Sequence, residues 1–118
     1  MWETIPNGKG VGEYEEGTYT GLYENGLRHG KGHYVTAKGT NDFEGLFEFD
    51  VYSEGKLTST EGWTYEGNFK NQNFNRGRLY FADGTYFDGE FKDNNPYNGV
   101  FYSASGVKAG NIRNGEIY

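Results

Sequence analysis

His29 and His33 are the only imidazoles in the chain, and Asp and Glu together supply 17 carboxylates. Histidines and carboxylates are the usual material of metal sites and of general acid–base catalysis. The spacing works against both. Four residues along a strand span roughly 13 Å, too far for two imidazoles to share one metal. Paired carboxylates catalyse only where a concave site holds them at a set separation. The chain has no cysteine, which excludes thiolate ligation, a cysteine nucleophile and a disulfide framework. No serine sits in a nucleophile elbow. The glycine pairs precede no helical pattern, so they lack the dipole that a phosphate loop uses. Neither enzymatic activity nor a metal or cofactor is expected.

The elements that carry these residues are strands and turns. The 118 residues allow one domain at most. Aromatic residues make up 19% of the chain, and its 20 glycines are about twice the usual share. Large rings bury wide areas and favour strands, while glycine serves turns and close approaches. No amphipathic helix pattern is visible. The formal net charge of −6 argues against a nucleic-acid footprint and against general attraction to anionic lipid. "MWETIPNGKG" has neither the basic nor the apolar region of a secretory signal, and no apolar run is long enough for a transmembrane helix. A cytoplasmic location is the expectation.

The chain repeats itself. An aromatic-x-Gly-x-aromatic unit occurs at Tyr19-Gly21-Tyr23, Phe43-Gly45-Phe47, Tyr65-Gly67-Phe69 and Phe87-Gly89-Phe91. A worn copy follows at Lys108, Gly110 and Ile112. A second element pairs glycines seven apart, at 10/17, 32/39, 55/62, 77/84 and 99/106. The second glycine of each pair follows a charged or small polar residue, as in "DG" or "SG", which suits a tight turn needing positive φ. Two short strands therefore alternate with two kinds of turn.

This pattern resembles the MORN (membrane occupation and recognition nexus) repeat family. "YTGLYENGLRHGKGHYVTAKG" carries the family motif through Tyr19, Gly21, Tyr23, Gly26, His29, Gly30, Gly32 and Gly39. Later copies depart from it and read "DVYSEG", "QNFNRG" and "NNPYNG" where His-Gly belongs. The resemblance implies an all-β fold, a single-layer antiparallel β-hairpin meander that is elongated and curved. It divides the chain into a lead-in at 1–6 and a repeat domain at 7–118. That domain comprises a half repeat at 7–17, full repeats at 19–39, 43–62, 65–84 and 87–106, and a closing half repeat at 108–118. His29 is then a turn residue.

Alternation along strands puts both rings and the glycine of each unit on one face. Stacked copies should give an aromatic column of Tyr19, Phe43, Tyr65 and Phe87. A second column should run through Tyr23, Phe47, Phe69, Phe91 and Ile112, and a third through Tyr34, Leu57, Leu79 and Phe101. The opposite face offers Thr20, Glu44, Glu66 and Asp88 against His33, Lys56 and Arg78, an acid–base ladder. The strand register is open at this stage, because two- and three-residue turns place different side chains opposite each other.

Near the hairpin tips stand Phe49, Tyr52, Phe74 and Tyr97, with Val51 and Leu27. The sequence leaves two placements open for them. They line a rim as a partner-binding row, or each ring folds under its own hairpin. The resemblance implies an accessory or scaffolding role, since such arrays accompany lysine methyltransferases, phosphatidylinositol-phosphate kinases and junctophilins. A non-catalytic protein–protein interaction scaffold or adaptor is the leading expectation, with a protein partner or a homodimer through the terminal strand edges. Alternatives are a phosphoinositide or membrane module using Lys70, Arg76, Arg78 and Lys92, and a carbohydrate-binding accessory protein.

Overall fold

In the computed structural model, which describes residues 7–118, the chain is one antiparallel sheet of eleven strands in sequence order. The strands are β1 (Asn7–Tyr14), β2 (Gly17–Glu24), β3 (Leu27–Thr36), β4 (Asn41–Glu48), β5 (Val51–Ser59), β6 (Thr64–Lys70), β7 (Asn73–Tyr80), β8 (Tyr86–Lys92), β9 (Asn95–Tyr102), β10 (Lys108–Arg113) and β11 (Glu116–Ile117). No helix is present among the described residues. The sheet is elongated, 50 × 24 × 20 Å. The lead-in at 1–6 lies outside the described residues.

Register is set by glycine. Gly10, Gly21, Gly32, Gly45, Gly55, Gly67, Gly77, Gly89 and Gly99 face one another strand by strand and form an unbroken row across the sheet. The first-column rings lie in the room this row leaves. A Cβ on Gly67 would sit 2.6 Å from the Cα of Gly77 and 2.7 Å from the Tyr65 hydroxyl. Tyr19, Phe43, Tyr65 and Phe87 are fully buried as a result, each at 0% exposure. The third column pairs with the first across strands, Tyr19 with Tyr34, Phe43 with Leu57, Tyr65 with Leu79 and Phe87 with Phe101.

A single sheet has no second layer to cover its core, so rings stacked on rings replace it. Tyr52 lies on Phe43 at 3.9 Å between ring centres, and Phe74 lies on Tyr65 at 4.0 Å. Edge-on neighbours close the gaps, among them Phe47 against Phe43 and Phe69 against Tyr65, both at 5.2 Å. Such geometries are favoured by the ring quadrupole. Two buried clusters result, and Trp63, Phe69 and Phe74 pack against both.

The two kinds of turn resolve differently. Five tight two-residue turns, Asn25-Gly26, Phe49-Asp50, Asn71-Gln72, Asp93-Asn94 and Asn114-Gly115, have both residues at positive φ. This is the twist-matched hairpin turn. The turns at Gly62, Gly84 and Gly106 are instead three-residue loops, whereas Tyr14 and Gly17 flank a two-residue turn and Gly39 lies in the four-residue loop 37–40. Gly84 N donates to Phe81 O at 3.0 Å and Phe81 N donates to Thr85 O at 2.8 Å, with Gly84 at φ 91. The loops at Ser59–Trp63 and Ser103–Val107 repeat this bonding.

Two registers depart from the expected columns. The last copy shifts because a bulge at Ala109 inserts a residue, so Ile112 and not Gly110 faces Gly99. Ile112 is buried and packs into the core there. In the first hairpin Gly21 faces Gly32 while Tyr23 faces Arg28, one residue more on β3 than the equivalent span of β5. His29-Gly30 is in this longer bulge, with Gly30 at φ 96, and the copies without His-Gly have the shorter one.

Candidate functional site

The aromatic face is closed, and the opposite face is open. The residues that flank each glycine of the row project to that open face as two parallel ridges. One ridge runs Thr20, His33, Glu44, Lys56, Glu66, Arg78 and Asp88, each facing the next across neighbouring strands. The other includes Lys31, Leu46, Glu54 and Asn68. Between them the floor is backbone, because the glycine positions of the row point to the aromatic face. At mid-array this makes a groove of about 710 Å³ floored by Gly45, Gly55 and Gly67. Lys31, Glu44, Leu46, Glu54, Lys56 and Glu66 wall it.

The expected acid–base ladder is aligned, but its pairs form selectively. Arg78 Nη2 bonds Asp88 Oδ2 at 2.8 Å, and Arg76 Nη2 bonds Glu90 Oε2 at 2.8 Å. His33 Nε2 reaches Asp42 Oδ1 at 2.6 Å, not Glu44 directly opposite. Hydrogen bonds that Arg78 donates to Asp88 hold its guanidinium above its usual pKa. Among the described residues the groove walls Lys31, Glu44, Glu54, Lys56 and Glu66 form no ion pair. Their charges are available to a partner. The basic residues considered for lipid do not make one free patch, since Arg76 and Arg78 are paired and the Lys92 ammonium lies 5.2 Å from the Tyr97 ring centre.

The four loop aromatics do not make one exposed row. Tyr52 and Phe74 fold onto their own hairpins as second-layer rings, because Tyr52 faces Phe47 and Phe74 faces Phe69 on the core side. Pro96 holds the equivalent slot in the next hairpin, opposite Phe91, which displaces Tyr97 toward Lys92 and Gly115. Phe49 alone of the four stands clear, at 62% exposure. Its N–H donates to His29 Nδ1 at 3.2 Å, and the two rings lie 4.7 Å apart.

Arg28 was not singled out by its sequence, yet it fills the slot that Tyr52 and Phe74 hold elsewhere. Its guanidinium carbon lies 4.9 to 6.0 Å from the ring centres of Tyr14, Tyr19, Tyr34 and Phe47. Nε donates to Asp50 Oδ1 at 3.0 Å and Nη2 to Asp50 O at 2.8 Å. A cation can replace a ring here because ring faces attract it and the Asp50 tip neutralises it. A ladder of Tyr80, Tyr86 and Tyr102 on the open face was missed as well. Tyr86 and Tyr102 stack at 4.9 Å, and Arg78 caps Tyr86 at 4.8 Å. The signal was present in "LYF", "TYFD" and "FYS", where a second ring adjoins each column residue.

His29 and His33 serve different partners. His29 Nε2 meets Glu24 at 3.3 Å, while His33 meets Asp42. Among the described residues no group of three or more His, Asp or Glu side chains is placed to hold a metal. Burial pushes the hydroxyls of Tyr19, Tyr52 and Tyr65 up to about 12. These tyrosines are neutral core groups at ordinary pH. The surface thus offers charge, bare backbone and a few apolar contacts, which is material for recognition. Comparison with family models and with curated proteins finds no match for this chain.

Proposed function

We propose that this chain is a non-catalytic scaffold of MORN type, working in the cytoplasm, that holds a segment of a protein partner along its open face. The groove over Gly45, Gly55 and Gly67 carries this reading. Its floor is backbone between two ridges of side chains, along which an extended partner segment can lie. Its walls mix unpaired carboxylates and ammonium groups around the exposed Leu46, which suits a segment of mixed charge with an apolar residue. Mixed charge of this kind supplies orientation and selectivity more than raw affinity.

The test is affinity capture from cell lysate with the wild type and a groove variant, Lys31→Glu, Leu46→Arg and Lys56→Glu, both shown to be folded by circular dichroism. A stoichiometric protein captured by the wild type and lost by the variant supports the scaffold. Binding to liposomes that falls with added salt, with no protein captured, overturns it in favour of a lipid module.

A further inference from the structure

The first position of the five positive-φ turns is Asn25, Phe49, Asn71, Asp93 and Asn114, with φ between 47 and 53. Asn and Asp tolerate that conformation because their short polar side chains bond locally, whereas an aromatic side chain is crowded in it. Phe49 is the exception, at φ 47, and its ring stays outside the core. Strain without burial gives folding no return, and strain of this kind clusters at functional sites. The ring is also held in place. His29 lies against it and accepts its backbone N–H, and Glu24 holds the far side of the imidazole.

The surroundings define what the ring would meet. Glu48 adjoins it in sequence and Glu24 reaches it through His29, while the Asp50 carboxylate is already bound to Arg28. The nearby cation, Arg28, is turned into the aromatic face and bound to Asp50. An exposed aromatic within an acidic rim has the composition of an interface anchor.

We propose that Phe49 is an anchor that inserts into an apolar pocket of the protein partner, a pocket ringed by lysine or arginine. This rests on the scaffold reading. It adds a second contact point, at the hairpin tips, to the groove. The acidic rim fits a basic protein surface and opposes an anionic membrane.

The experiment screens the folded, immobilised protein against random peptides displayed on phage, then measures the binding of enriched peptides to three proteins: wild type, Phe49→Asn and the groove variant. Phe49→Asn should melt no lower than wild type, because asparagine suits the turn, so lost binding would not reflect lost folding. The expected result is enrichment of peptides that join an apolar residue to flanking Lys or Arg. Their binding should fall at least about tenfold in Phe49→Asn, persist in the groove variant and weaken with salt. Peptides bound equally by Phe49→Asn but lost by the groove variant would overturn the anchor and leave the scaffold standing. No enrichment, or enriched peptides indifferent to both variants, would overturn both.

Discussion

The two faces of this sheet are written by alternate residues of the same strands, yet they solve opposite problems. On one face Tyr65 and Phe69 flank Gly67 along β6, and on the other Glu66 and Asn68 do. The aromatic face fills the glycine row with flat rings and then stacks further rings over them. The open face leaves the same row bare and lines it with charge. Glycine makes room for the core rings on one face, while the backbone of the same row floors the groove on the other. The contrast teaches that a one-layer sheet is stable only if one face makes its own second layer, which here takes rings large enough to lie down and stack.

Removing a first-layer ring should separate the faces most sharply. Tyr65→Ala empties a fully buried site and should cost about 3–5 kcal/mol, read as a fall in the urea midpoint. Gly67→Val should follow at about 3 kcal/mol, because its first methyl-bearing carbon meets the Gly77 backbone, which cannot swing aside. An unchanged melt in either variant would remove the glycine row from the account.

Alkali should attack the aromatic face alone. The hydroxyls of Tyr19, Tyr52 and Tyr65 sit near 12 in the fold, against an ordinary value of 10.0. The folded state therefore keeps protons that the unfolded chain gives up. Their contribution is intact below pH 10 and is lost as pH rises toward about 12. Phenolate absorbance from these rings should appear together with loss of the β-sheet circular dichroism signal. Phenolate appearing near pH 10 with the sheet intact would contradict their burial.

Two arginines sharpen the contrast at smaller scale. Arg28→Ala removes the cation that takes a ring's place and strands Asp50, and should cost about 2 kcal/mol. Arg78→Ala breaks a half-exposed pair with Asp88 and should cost under about 1 kcal/mol, less at high salt. Equal effects at the two sites would erase the distinction between the faces.

Much of this was legible in the primary structure. Alternation around Gly21, Gly45, Gly67 and Gly89 placed the columns, and period placed the hairpins. Turn residues were less informative, since "DG" fits two loop lengths and only hydrogen bonds such as Gly84 N to Phe81 O decide between them. The loop aromatics were ambiguous because Tyr52 and Phe49 are three residues apart and both aromatic. Their placement depends on a bulge that turns Tyr52 inward and a turn that throws Phe49 out. Arg28 was invisible because a charged residue in an aromatic slot breaks the pattern on which the columns were read.

The division of labour between the faces is tested most directly by thermal melting of a variant with Glu44, Lys56 and Glu66 all replaced by threonine, set beside Tyr65→Ala. The threonine variant should melt cooperatively within about 5 °C of wild type, since threonine suits strands and these charges carry little of the fold. Tyr65→Ala should melt far lower. A threonine variant that loses its cooperative transition would show that the open face holds the sheet together, and that the core is not confined to the rings.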